Sequence, residues 1–97
     1  MRYALINHHG EVESLVGDGS VIVNAGLDTG LDVDGITVWF NAGSSGGYNW
    51  QGQRLLRDRL MPEDRVCGDV IVTGIGGADL DPAVILTLRE RYDQHSH

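Results

Sequence analysis

Residues 60–92, LMPEDRVCGDVIVTGIGGADLDPAVILTLRERY, constrain the fold more than any other stretch of this chain. Over Arg65–Thr73, Val66, Val70 and Val72 recur in the period of two that marks a strand, with Gly68 in the same register. Gly74–Ala78 then turns the chain. Asp81 is suited to cap a helix, and Pro82 fits its first position, where a missing N–H is not needed. Val84, Ile85, Leu88 and Tyr92 follow at helical spacing and form one apolar stripe. A helix with one such stripe needs a surface to lie on, and the strand before it supplies one. The expected architecture is α+β: a small antiparallel sheet of four to five strands, packed by the C-terminal helix.

The rest of the chain fits that frame. Arg2–Asn7 reads as a strand, His8-His9-Gly10 as a turn, and Glu11–Val16 as a second strand or a single helical turn. Ser20–Ala25 (SVIVNA) is β-branched and predicts a strand. Gly26–Asp34 predicts an acidic loop. In Gly35–Asn41, Ile36, Val38 and Phe40 fall on one face and Thr37 and Trp39 on the other. Ala42–Gly47 predicts a flexible loop, and Gln51–Leu60 a shorter middle helix with Leu55, Leu56 and Leu60 inward. Met61–Asp64 predicts a turn. No linker or repeat interrupts residues 1–97, so one domain is expected, with a frayed tail at 93–97.

Charge narrows the partners. Fourteen acidic residues face seven basic ones, all arginine, for a net charge of −7. Such a surface repels phosphate backbones, so generic nucleic-acid binding is not expected. The lone Cys67 has no partner for an internal disulfide, which points to a reducing compartment. Met1–Asn7 lacks the basic and apolar regions of a signal peptide, and no apolar run approaches the roughly 20 residues of a membrane span. A cytoplasmic protein without membrane contact, monomer or homodimer, is the expectation.

Several short motifs carry candidate chemistry. Asp28-Thr29-Gly30, after Leu27, is similar to the catalytic triplet of dimeric retroviral-type aspartic proteases, in which two aspartates share a proton and activate water. The same triplet suits a surface turn. Asp28, Asp32, Asp34 and Gly35 have the composition of a calcium loop. With Gly35 at the sixth position, however, Gly30 and Asn41 stand where the first and last ligands belong, so a solvated acidic loop is expected. Adjacent His8 and His9 would point apart on a strand, and His95 and His97 lie in the tail, so no metal is expected. Cys67 reads as a small buried apolar residue. Gly74-Ile75-Gly76-Gly77 lacks the spacing of a phosphate loop, and Asp79 and Asp81 would repel phosphate. No cofactor is expected. Tyr48, Trp50, Arg54 and Arg57, with Arg59 and Arg65 beyond them, form the one basic-aromatic cluster. Arginine forks and aromatic faces suit a protein partner or a small planar anion. The competing reading is salt bridging of these arginines to Asp58, Glu63 and Asp64.

Pro62-Glu63-Asp64-Arg65-Val66-Cys67-Gly68-Asp69-Val70-Ile71-Val72-Thr73-Gly74 resembles the closing strand of a small family encoded by bacteriophages and plasmids, especially phages of actinobacteria. That family typically shows a Pro-Gly-Asp turn, Gly-Asp and a β-branched strand ending in Gly, then an acidic-Pro helix start, as in Asp81-Pro82. Val38-Trp39-Phe40-Asn41 is similar to its central strand, and Leu15-Val16-Gly17-Asp18-Gly19 to a Leu-Val-Gly-Gly step. The family's Pro-x-Asn-Arg-x-Ala step is reduced here to Gly52-Gln53-Arg54-Leu55-Leu56, and its first helix is shorter. The resemblance implies an α+β accessory protein of mobile-element origin with no assigned enzyme activity. It makes a non-enzymatic interaction with a host protein, in the cytoplasm of an infected bacterium, the leading expectation. A sponge for a small nucleotide-like anion is the second, and the aspartic protease the third.

Overall fold

Asp34 and Gly35 both adopt left-handed backbone angles (φ 47° and 82°), the signature of a two-residue hairpin turn whose twist matches that of the strands it joins. This turn connects β3 (Thr29–Val33) to β4 (Ile36–Phe40), paired from Val33↔Ile36 to Thr29↔Phe40. A second hairpin joins β1 (Arg2–Ile6) to β2 (Val12–Val16). Its turn is closed by Asn7, whose Oδ1 accepts from the N–H groups of His9 (3.0 Å) and Glu11 (3.1 Å). The last strand, β5 (Val70–Gly74), lies between the hairpins and pairs antiparallel with β1 and β4. The resulting five-stranded sheet has the order β2-β1-β5-β4-β3, with β2 and β3 as its edges. The computed structural model describes residues 1–96, and side chains through Arg91.

The sheet alternates as its sequence dictates. Ala4, Ile6, Val38, Phe40, Val70 and Val72 project to one face and are closed over by Leu56, Val66, Leu80, Ile85 and Leu88. Leu80, Ile85 and Leu88 belong to the C-terminal segment. There Asp81 Oδ1 accepts from Ala83 N–H (2.9 Å), and Pro82 opens α3 (Pro82–Ser96). Helix numbering follows chain order: α1 is Ser20–Asn24 and α2 is Trp50–Leu55. The expected stripe is seen at Ile85 and Leu88, both buried, and at half-buried Val84. The fourth position, Tyr92, and the frayed tail expected at 93–97 lie where side chains are not described.

On the opposite face, Tyr3 and Ile71 are buried beneath Ile22, with Leu5, Leu15 and Trp39 packed around them. Here the structure corrects two expectations. Ser20–Ala25 is not a strand but one helical turn, α1. Ser20 donates both its N–H and its hydroxyl to Asp18, which starts the turn, and Ile22 then drops onto the sheet. Burial of Ile22 has overridden β-branched propensity. The acidic loop expected over Gly26–Asp34 contains β3, because the left-handed turn at Asp34-Gly35 folds these residues back onto β4.

Two further elements are shorter than expected. α2 ends at Leu55, and Leu56 leaves helical geometry with its side chain fully buried. The strand predicted from Arg65 begins only at Val70, because Gly68 turns left-handed (φ 81°) and gives its N–H to Gly47 O (2.8 Å). Cys67, half-buried, forms an isolated bridge with Tyr48 instead. The loop over Ala42–Gly47 is therefore tied down at this point. Gly46 packs so closely on Gly68 that an added Cβ would lie 3.1 Å from its Cα.

A candidate binding groove

α2 is held to the sheet by amides. Asn49, fully buried, accepts from Gly52 N–H (2.9 Å) as N-cap and donates through Nδ2 to Ile6 O (3.0 Å) and Gly68 O (2.9 Å). Gln51 Nε2 donates to Gly10 O (2.9 Å), while Gln53 accepts from Val66 N–H (2.7 Å) and donates to Asp64 O (3.0 Å). Gly52 lets the helix approach β5 closely, since a Cβ there would lie 2.9 Å from the Val70 side chain. These contacts fix one side of α2 inward and leave Arg54 exposed on the other, with Arg57 exposed in the turn that follows the helix.

Arg54 and Arg57 meet the tip of the β3–β4 hairpin and α3. Together with Arg91, Asp34 and Asp58 they line a cavity of about 160 Å³. A second cavity of about 170 Å³ adjoins it and has apolar walls of Val33, Ile36, Leu55, Val84 and Leu88. The two share Val33, Asp34, Leu55 and Arg91, so they form one groove with a basic end and an apolar end. The single ion pair among the described residues joins the Met1 amine to Asp79 (3.7 Å), so none of the groove's arginines is within ion-pair distance of a described carboxylate. The salt bridges to Asp58, Glu63 and Asp64 considered above are not formed there.

The expected basic-aromatic cluster is thus divided. Arg54 and Arg57 come together with Arg91, whereas Tyr48 and Trp50 are not among the groove's lining residues. Tyr48 is half-exposed beside Cys67, and the Trp50 ring occupies the space left by the missing side chain of Gly10. Arg59 and Arg65 line a separate cavity with Glu63 and Asp64. Sequence reasoning missed Arg91, although it stands three residues beyond Leu88 and so flanks the same helix face. It also missed Val33, and it set Asp34 in a separate acidic loop, because the position of both beside the arginines depends on the hairpin.

The remaining motifs have local partners. Asp28 Oδ1 accepts from Ala42 N–H (3.1 Å) and Thr29 Oγ1 (2.9 Å), which in that order hold its carboxyl below the usual aspartate range. The Asp28-Thr29-Gly30 triplet is no free-standing turn, because Thr29 and Gly30 open β3. Asp32 accepts from Thr37 Oγ1 (2.6 Å), and Asp34 shapes the hairpin, so the acidic residues of this loop face different tasks. The His8 and His9 rings lie 4.0 Å apart. Among the described residues no group of three or more His, Cys, Asp or Glu could hold a metal, and no described helix is long and apolar enough to cross a membrane. No family model, no curated protein and no solved structure matches this chain.

Proposed function

We propose that the protein is a non-enzymatic binding protein that acts on another protein, with Arg54, Arg57 and Arg91 as its contact surface. One observation carries this reading: three arginines with no ion-pair partner among the described residues line one groove of a chain whose net charge is −7. Concentrating positive charge against an acidic background requires a reason, and an anionic group on a partner supplies one. Arginine retains its charge and offers a planar fork, which is why it recurs at binding hot spots. The phage-type character of the protein, and hence a bacterial host protein as target, is supported by the resemblance of Pro62–Gly74 and Asp81-Pro82 to the phage and plasmid family.

The test is affinity capture from a bacterial lysate with three proteins in parallel: wild type, an Arg54→Ala/Arg57→Ala double variant, and Arg89→Ala. Arg89 lies outside the groove. A partner retained by wild type and Arg89→Ala but lost by the double variant is the expected result. A partner captured equally by all three would move the contact surface elsewhere.

A further inference from the structure

We infer that the groove takes a chain end: the terminal carboxylate of a partner polypeptide together with its last, apolar side chain. This rests on the binding reading above and specifies its ligand. The basic end holds three arginines and two aspartates, Asp34 and Asp58, which leave one net positive charge. That balance matches a single negative charge. A phosphate dianion or a polyphosphate would meet the two aspartates as well, so a nucleotide-like ligand fits poorly. A carboxylate matches the flat two-donor edge of a guanidinium, and Arg54 and Arg57 both line this end of the groove.

The apolar end fixes what must be attached to the carboxylate. Its volume, about 170 Å³, is comparable to the engineered apolar cavity of about 150 Å³ that accepts benzene. One leucine- or phenylalanine-sized group fills it. The two ends share Leu55 and Arg91 as walls, so the charged and apolar parts of the ligand must be directly connected, as they are in a C-terminal residue. The partner's chain also has a place to run. Val33, which walls both compartments, is the last residue of β3, an edge strand paired on one side only. Thr29 and Leu31, alternating with it along β3, line the next cavity along the same face. An extended segment laid against β3 can pair with its free backbone groups while its side chains follow these hollows.

The experiment uses the full chain, labelled for amide chemical-shift titration, and four probes: N-acetyl-leucine, N-acetyl-leucinamide, inorganic phosphate and the peptide acid acetyl-Val-Thr-Val-Leu. The acid should shift the amides of Asp34, Leu55 and Thr87, and the amide-capped analogue should not. The peptide acid should bind about tenfold or more tightly than N-acetyl-leucine and also shift β3 amides. The Arg54→Ala/Arg57→Ala variant should lose about tenfold or more in affinity for both acids. Equal binding of acid and amide would overturn the carboxylate. Phosphate binding as tightly as the acid would reduce the site to a general anion site and overturn the chain end. A peptide acid no tighter than N-acetyl-leucine would make the ligand a free small acid, against the inference. If neither acid shifts any groove amide while lysate capture still depends on Arg54 and Arg57, the protein-binding reading stands and the chain-end inference falls.

Discussion

The two faces of the sheet are closed in different ways. The face beneath α2 and α3 is sealed by aliphatic side chains from several segments, and Ala4, Ile6, Val38, Val70 and Val72 are almost wholly inaccessible. The opposite face has one helical turn above it, and there polar links share the work. Trp39 Nε1 donates to Thr73 Oγ1 (3.0 Å), Gly76 N–H donates to Thr37 Oγ1 (3.0 Å), and Thr37 in turn donates to Asp32. Thr37 and Thr73 are buried directly opposite one another on β4 and β5. A small sheet can therefore be covered on one side by area and on the other by satisfied hydrogen bonds. The helix-covered face stays open at its border with β3, where Arg54, Arg57 and Arg91 collect, and again where α3 meets β1 and β2 beside Arg89.

This difference sets the order of expected mutational effects. Leu88→Ala, in the sealed face, should cost about 3–5 kcal/mol, whereas Ile22→Ala, in the single turn that covers the other face, should cost about 2 kcal/mol. Urea denaturation of both variants checks the ranking, and equal losses would erase the asymmetry between the faces. Asn49→Ala should fall between them, at about 2–3 kcal/mol, because it leaves Ile6 O and Gly68 O without their donor. A loss of only a few tenths would mean that water replaces the Asn49 amide and that the Gln51 and Gln53 bonds suffice to hold α2.

Gly30→Ala probes the polar face. An added Cβ would lie 2.7 Å from the Trp39 ring, so the indole must shift and strain its bond to Thr73. About 1 kcal/mol is expected, with a change in tryptophan fluorescence. An unchanged spectrum would show that Trp39 does not depend on that close approach.

The smallest effect concerns pH. Asp18, Asp28 and Asp79 all have carboxyls lowered from the ordinary value, chiefly by bonds from Ser20, Ala42 and Arg2 respectively. A lowered folded pKa means stability that is present above the unfolded value and lost as pH falls through the folded one. Melting temperature should therefore decline on acidification below the ordinary aspartate pKa. Asp28→Asn should melt slightly lower than wild type at neutral pH and converge with it in acid. Parallel curves at all pH values would remove Asp28 from the acid response.

Much of this was legible in the residues. The β4 alternation, the Asp81-Pro82 helix start and the Ile85/Leu88 stripe each have one local physical reading, and each is seen. What escaped depends on contacts distant in sequence. Ser20–Ala25 has strand propensity, yet Ile22 is needed above Tyr3 and Ile71. β3 is composed like a loop and becomes a strand through its turn to β4. The groove was half visible. Arg54 and Arg57 announce themselves in sequence, but Arg91 and Asp34 reach them only through the packing of α3 and the hairpin.

The central claim is that Arg54 and Arg57 serve recognition and leave stability to the sealed face. The urea midpoint of the Arg54→Ala/Arg57→Ala double variant tests it most directly. Both side chains are exposed and lack ion-pair partners among the described residues, so a stability within about 0.5 kcal/mol of wild type per substitution is expected. A loss of about 2 kcal/mol or more would contradict the claim, because the two arginines would then be holding α2 and α3 together instead of waiting for a partner.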